Sequence, residues 1–247
     1  MADKKATPKF PLHFSRFFDN IDDVRSLLDA HGQIAGEGRG RKRDVEVLNK
    51  SGVIFLVACW EVYVEDVVES ALTALMKNAP DHRVFPESLL TRIGNKSQGP
   101  NAWKLAGDGW RTVLKDNLQE TLATTTGGLN TPKSGVLDDL YKKAIGMDKL
   151  SSHWQWHRMP ATKAAAALDT LITLRGDIAH RVKLATPVRK THVVNGAALV
   201  MRLAVLTHNA VGDYMHQRLG KRVPGWGKAN LKSTSLMKEG AAKPATP

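Results

Sequence analysis

The segment Arg175-Gly-Asp-Ile-Ala-His180 holds two residue types suited to chemistry on a phosphodiester. Histidine can take or give a proton near neutral pH, because the unperturbed pKa of its imidazole is about 6.5. Arginine carries a fixed, forked charge that reaches two oxygens of one phosphate. Metal-free cleavage of RNA needs a base, an acid and such a charge on the phosphorane. We therefore assign proton transfer to His180 and phosphate stabilisation to Arg175, with Asp177 orienting one of them.

The spacing of the two residues limits how they can meet. Pro160 suits the first turn of a helix, and the residues after it predict a helix over 161–182 that contains both side chains. Five residues at about 100° each turn through roughly 500°, which leaves the side chains about 140° apart on a regular helix. A shared site therefore requires a distorted turn, which Gly176 would ease, or a second protomer.

A structural role for the same residues is the alternative. Arg175 would then form an ion pair on the helix surface with Asp177 or Asp169. His180 would pack against the rest of the domain. The spacing alone does not decide between the two interpretations, because an arginine and a histidine fall at this separation by chance in many chains.

Apolar residues at three-to-four spacing predict helices along much of the chain, and no segment shows the alternation typical of a strand. We predict the longest helix over 44–78, where a wide apolar surface indicates burial on more than one side. The other predicted helices span 14–30, 87–93, 110–122, 136–144, 161–182 and 196–219. The expected fold is an all-α helical bundle in a single domain over 12–220, with a flexible N-terminus over 1–11 and a basic, disordered tail over 221–247.

The charge of the chain favours a polyanionic partner. Its 247 residues include 36 Lys and Arg against 24 Asp and Glu, a net charge of +12, which is typical of proteins that bind RNA or DNA. Part of this excess lies in the predicted tail and is unspecific. The loop over 36–43 contributes Arg41 and Arg43, and Arg181 and Lys183 follow the segment described above. We expect these four side chains to contact a phosphate backbone, and a mobile, solvated loop over 36–43 is the alternative.

Cysteine content and apolar runs exclude several other classes of protein. The single cysteine, Cys59, excludes an internal disulfide framework and a cysteine-based zinc site, and its apolar surroundings predict a small core residue. The N-terminal residues lack the apolar stretch of a signal peptide. The longest apolar run has eight residues, against the roughly 20 that cross a bilayer. We expect a soluble, cytoplasmic protein with no membrane contact.

The segment His153-Trp-Gln-Trp-His157 places aromatic residues next to positive charge. Trp154 and Trp156 beside Arg158 would suit stacking on single-stranded nucleic acid. Core tryptophans with exposed histidines are the alternative. The two histidines stand four residues apart but have no evident third ligand, so we expect no metal site.

Acidic residues and two further histidines complete the candidates. Glu61, Glu65 and Glu69 recur every four residues and share one face of the longest helix. A solvated stripe explains such a pattern, and acid–base chemistry or metal binding is the alternative. His208 and His216 are isolated on the last predicted helix, where we expect both to be partly exposed.

Three segments occur in a recognisable order: Trp60-Glu-Val-Tyr-Val-Glu65, then Asn130-Thr-Pro-Lys-Ser134 with Leu137-Asp-Asp-Leu-Tyr-Lys142, then Arg175 to His180. The first two resemble the Trp-Glu-x-Tyr-x-Glu helix and the middle segment of the RiboL-PSP-HEPN branch of the HEPN superfamily. The third resembles the Arg-x4-His motif of HEPN ribonucleases. The resemblance covers roughly Leu48 to Leu219.

The resemblance implies a HEPN-like helical bundle with additional helices, and a metal-independent endoribonuclease that needs no cofactor. It further implies RNA as a partner, a homodimer in which two Arg/His sets line one cleft, and a defence or toxin–antitoxin setting with an antitoxin or regulatory protein. Glu65 becomes a candidate site residue because the family pattern includes it. One position departs from the pattern: family motifs usually place Asn directly after the arginine, where this chain has Gly176. A non-catalytic module that binds RNA or a protein is therefore the alternative function.

Overall fold

In a computed structural model of the chain, residues 10–35, 45–118, 120, 122, 129, 131–180 and 186–231 are described. The α-helices whose bounds fall in these ranges are α1 (Leu12–Ala35), α2 (Glu46–Asn78), α3 (Glu87–Lys96), α4 (Gly109–Asp116), α5 (Ser134–Ile145), α6 (Ala161–His180) and α7 (Lys190–Leu219). Short 3-10 segments lie at His82–Val84, Gly99–Leu105 and Leu150–His153. The same ranges contain no β-strand, so the predicted all-α fold is confirmed. None of their helices is long and apolar enough to cross a membrane.

Helix α2 is the central helix, and α1, α5, α6 and α7 pack around it. It is buried on more than one side, as its wide apolar surface predicts, and both Leu56 and Trp60 are fully buried. Each such side chain contributes about 1.5–3 kcal/mol through burial, so α2 provides much of the core. The helix ends at Asn78 because Ala79, which precedes Pro80, adopts the extended backbone (φ −61°, ψ 132°) that a following proline favours.

Helix α6 carries Arg175 and His180 and packs against both α2 and α7. A glycine allows this close packing. A Cβ added at Gly196 of α7 would lie 2.9 Å from a methyl carbon of Leu56 on α2 and 3.1 Å from one of Leu171 on α6. Any larger side chain at this position would therefore push α7 away from the other two helices, and the position of α6 depends on it.

Several helix ends differ from the predictions. Helix α1 continues through Gly32 to Ala35, because a glycine inside a helix costs only about 1 kcal/mol. Helix α4 ends at Asp116, although residues 118, 120 and 122 are helical as predicted, and α7 begins at Lys190 instead of 196. The early start of α7 has a local cause: the backbone N–H of Arg189 donates to Nδ1 of His192 over 3.0 Å, which caps the first turn.

The chain after α7 stays packed against the bundle over 221–231. Ala229 is buried. The side chain of Asn209 on α7 donates to the backbone oxygen of Ala229 and accepts from its backbone N–H, each over 2.9 Å. Trp226 stacks on His208 with the ring centroids 5.1 Å apart. The predicted start of the tail at 221 is therefore wrong, because these residues belong to the domain. Residues 1–9 and 232–247 lie outside the described residues.

Cys59 occupies the core, as predicted. Its side chain is buried, and burial is the main cause that raises the pKa of its thiol to about 11. A thiol that stays protonated at neutral pH is a poor nucleophile and a poor metal ligand. Cys59 therefore serves packing.

Candidate active site

Arg175 and His180 lie on one regular helix. Helical hydrogen bonding continues through Gly176 to the last residue of α6, so the distorted turn that would join the pair within one chain is absent. The two side chains consequently leave the axis in directions about 140° apart. One copy of the chain does not bring them together over a single phosphate.

Arg175 lies at the edge of the core. It continues the stripe of α6 that contains the buried Leu168 and Ile172, and it is itself half-buried. Glu61 of α2 lies close enough for its charge to interact with that of Arg175: burial raises the pKa of the Glu61 carboxyl, and the charge of Arg175 lowers it. Within the described part of the chain, Arg175 makes no hydrogen bond or ion pair. The donors of its guanidinium are thus not used by any residue that the structure describes.

His180 is exposed at the C-terminal end of α6, on the stripe that includes the exposed Thr173. It forms no hydrogen bond or ion pair with any residue that the structure describes. An exposed imidazole without a partner can approach a ligand and exchange protons with it. The predicted alternative, in which His180 packs against the bundle, is wrong.

The ion pair proposed for Arg175 as a structural alternative is also absent. Asp169 accepts hydrogen bonds from Ser134 instead, 2.7 Å from the backbone N and 2.9 Å from Oγ. Ser134 opens α5, so Asp169 of α6 caps that helix and joins it to α6. Asp177 is half-buried on α6, and its orienting role stays a prediction.

The aromatic residues of the recognised segments stabilise the bundle. The hydroxyl of Tyr63 donates to the backbone oxygen of Ala204 over 2.6 Å, and that of Tyr141 donates to Val64 over 3.1 Å. Burial raises the pKa of both tyrosines well above the ordinary value, so both remain donors at any working pH. Trp60 is fully buried beside them. These residues therefore hold α2, α5 and α7 together, and their role is structural.

The acidic stripe of α2 borders the same region. Glu65 is half-buried, and its carboxyl pKa is raised first by burial and then by the charges of Glu61 and Asp66. Glu61 is half-buried as well, whereas Glu69 is exposed. The stripe is thus only partly solvated, and its members Glu61 and Glu65 favour the neutral form more than ordinary surface carboxyls do. The site role of Glu65 stays a prediction.

Trp154 does not form a stacking surface. It is fully buried, its Nε1 donates to Oγ1 of Thr207 over 3.0 Å, and its ring meets Trp60 edge-on with the centroids 6.0 Å apart. The predicted contact of Trp154 with a base is therefore wrong, and the alternative of a core tryptophan holds. His153 and His157 are exposed, as that alternative expects.

The remaining predicted RNA contacts have different positions. Arg158 is exposed at the tip of a turn. Arg41, Arg43, Arg181 and Lys183 lie outside the described residues. Among the residues that are described, no group of three or more His, Cys, Asp or Glu side chains could hold a metal ion.

The sequence did not predict one buried pair of histidines. His208, expected to be partly exposed, is buried, and its Nδ1 lies 3.4 Å from Nε2 of the equally buried His13. Nδ1 of His13 also lies 2.9 Å from Oγ of Ser70. A signal for burial was present, because His208 lies seven residues from both Met201 and Met215 on the apolar stripe of α7.

A protein-family model described as RiboL-PSP-HEPN matches residues 15–211, from the first turn of α1 to the last third of α7. The chain belongs to the RiboL-PSP-HEPN family. Its helices therefore form a HEPN bundle, and Arg175 and His180 fall inside the matched region at the spacing of the HEPN ribonuclease motif. No curated protein and no solved structure matches the chain.

Proposed function

We propose that the protein is a metal-independent endoribonuclease that cleaves RNA at a site built from Arg175 and His180 of two protomers. One observation carries this proposal. Tyr63, Tyr141 and Asp169 form hydrogen bonds that hold the fold together, whereas Arg175 and His180 form no hydrogen bond or ion pair with any described residue, and Arg175 interacts only through its charge with Glu61. An arginine and a histidine on one helix whose donors are not used by the described residues are available for a ligand.

The chemistry follows from the residue types. His180 of one protomer takes the proton of the 2′-OH, and the 2′-oxygen attacks the phosphorus. Arg175 stabilises the charge of the phosphorane through its forked donors. The bond to the 5′-oxygen then breaks, and His180 of the second protomer gives that oxygen a proton. The products are a 2′,3′-cyclic phosphate and a free 5′-hydroxyl, and the proton taken from the 2′-OH is matched by the proton given to the 5′-oxygen.

A dimer supplies what a single chain lacks. Attacking and leaving oxygens lie roughly in line on opposite sides of the phosphorus, so an acid and a base must approach from two sides. Each chain has one histidine in the motif, and its arginine points about 140° away on α6. A two-fold axis beside α6 would provide both histidines and both arginines to one cleft.

Cleavage in the presence of EDTA tests the proposal. The purified protein should cut RNA in excess chelator and leave 2′,3′-cyclic phosphate ends. His180→Ala should lower the rate by about 100-fold or more, because a positioned acid or base contributes at least that much. The matched control is His82→Ala, which removes an exposed histidine from the 3-10 segment His82–Val84. Equal rates for His180→Ala and wild type would refute the role of His180.

A non-catalytic HEPN module that binds RNA or a protein is the second candidate, and Gly176 is the observation that favours it. Binding of RNA without cleavage by the wild type would support this candidate. A defence or toxin–antitoxin role in the cytoplasm, with an antitoxin or regulatory protein as a partner, accompanies the first proposal. Protection of cells by a co-expressed neighbouring gene product would test it.

A further inference from the structure

A groove of about 550 Å³ lies between α6 and α7, on the helix that carries Arg175 and His180. Leu171 and Leu174 of α6 and Leu199 of α7 line it, and Trp156 and Met159 close one side. We call it the Trp156 groove. Its volume lies within the range of about 300–1,000 Å³ found for small-ligand sites, and its walls are mainly apolar as such sites require.

A tight turn holds Trp156 and Met159 side by side. Their backbones exchange two hydrogen bonds, 3.0 Å from Trp156 N to Met159 O and 2.9 Å in the other direction. Arg158, in the third position of this turn, has φ +61°, a region that residues other than glycine and asparagine adopt at a cost of about 1–2 kcal/mol. The rest of the fold imposes this conformation on Arg158. Strain of this kind clusters at functional sites.

The polar groups of the groove include several hydrogen-bond donors. The Arg202 guanidinium lies 5.8 Å from the centroid of the Trp156 ring and makes no hydrogen bond or ion pair within the described part of the chain. Nδ1 of His192 accepts from the N–H of Arg189, so the proton of its neutral ring sits on Nε2, which can donate to a ligand. Asn195 adds an amide, and none of the described residues that line the groove carries a carboxylate.

We infer that the Trp156 groove binds a nucleobase of single-stranded RNA, an inference that rests on the proposed function. An aromatic ring next to an arginine whose donors are not used by described residues is a suitable surface for an unstacked base, because every base has a π-face. Arg202 and His192 supply donors to the acceptor atoms of a base edge or phosphate. A groove without acidic residues, in a chain of net charge +12, matches a polyanion better than a basic peptide.

The position of the groove suits an RNA strand that reaches the candidate active site. Leu174 lines the groove and is the neighbour of Arg175 in sequence. At 1.5 Å and about 100° per residue, Leu174 and His180 lie about 9 Å apart along the axis of α6 and leave it in directions about 120° apart, so the strand would also pass around the end of α6. That distance corresponds to about two or three stacked nucleotides. A base held by Trp156 would therefore fix the register of the strand relative to His180.

Binding of an uncleavable strand tests the inference. A fluorescently labelled 2′-O-methyl RNA oligonucleotide has no 2′-OH to attack, so its anisotropy reports affinity alone. Trp156→Ala should weaken binding about five- to a hundredfold, the effect expected for the loss of one stacked base. Arg202→Gln should weaken binding severalfold, and it tests the groove by a second variant that leaves Trp156 in place, because Arg202 is half-exposed and, apart from its contact with the Trp156 ring, forms no hydrogen bond or ion pair with a described residue. The matched control is Trp103→Ala, since Trp103 is 83% exposed on a different segment.

A single abasic position moved along the oligonucleotide makes the readout specific for a base. The wild type should lose affinity most strongly at one position, and Trp156→Ala should show no further loss at that position. Wild-type affinity in both groove variants would overturn the inference. A changed oligomeric state in sedimentation, with RNA affinity retained, would overturn it too, because the groove would then be a protein interface. Binding of the oligonucleotide by a wild type that cuts no ordinary RNA would instead refute only the proposed catalysis.

Discussion

Asp169 of α6 accepts two hydrogen bonds from Ser134, the first residue of α5, with both of its carboxylate oxygens engaged. The contact joins the helix of the candidate active site to the segment that precedes it in the family pattern. Asp169 and Arg175 are six residues apart on α6, so their side chains lie on different faces of the helix and the cap acts on the fold.

Removal of this cap should destabilise the fold. We expect Asp169→Ala to lower the free energy of unfolding by about 1–2 kcal/mol, the usual effect of losing a helix-capping side chain. Asp169→Asn should cost less, because its amide oxygen can still accept one of the bonds. Urea unfolding measures both values. A loss of RNA cleavage by Asp169→Ala without any change in stability would contradict this structural role.

Glu61 should weaken the attraction of Arg175 for phosphate. Its carboxylate lies close enough for the two charges to interact, although the pKa of Glu61 is raised by burial. We expect Glu61→Gln to lower the KM for RNA about two- to threefold at low salt, since half-exposed charge pairs are worth less than about 1 kcal/mol. Glu69→Gln, an exposed change on the same helix, is the control. The same effect in both variants would point to overall charge instead of Arg175.

The buried histidine pair should make stability depend on pH. Burial, and then the neighbouring His208, lower the pKa of His13 to about 3. In the unfolded chain His13 takes up a proton near its ordinary pKa of 6.5, so between about pH 6.5 and 3 the unfolded state binds more protons and stability falls as pH falls. The slope is about 1.4 kcal/mol per pH unit for this group.

A comparison with His13→Gln isolates that contribution, because the raised carboxyl pKa values of Glu61, Glu65 and Asp66 act in the opposite direction in both proteins. Glutamine can keep the hydrogen bond to Ser70 and does not titrate. Urea unfolding between pH 7.5 and 4.5 should show a flatter profile for the variant. Parallel profiles would contradict the assignment.

Gly176 should limit the rate of cleavage, and its replacement should leave the fold intact. A Cβ at this position meets no atom within 4 Å, so a side chain fits without strain. Gly176→Ala should raise stability by about 0.5–1 kcal/mol through helix propensity alone and leave the rate unchanged. Gly176→Asn should raise the rate by supplying the polar group usual in the family. Equal rate increases in the two variants would show that helix rigidity, and not polarity, is the cause.

Much of the fold was predictable because it depends on local patterns. The apolar run around Trp60 predicted the central helix, and the separation of Arg175 and His180 predicted that they diverge on α6. Contacts between distant segments were not predictable. No local sequence feature distinguishes the buried Trp154 from the half-exposed Trp156. Their burial differs because of how α7 packs against this segment. Likewise, no sequence pattern near Asp169 indicates that its side chain caps another helix.

Subunit mixing tests most directly whether two protomers build one site. Wild type and His180→Ala chains, refolded together in equal amounts, should pair at random, so about a quarter of the dimers contain both histidines. If each cleft needs a base from one protomer and an acid from the other, cleavage in EDTA should fall to about a quarter of the unmixed wild-type rate. Activity should then follow the square of the wild-type fraction. A linear dependence, with about half the rate in the equal mixture, would contradict a shared site and assign cleavage to single chains.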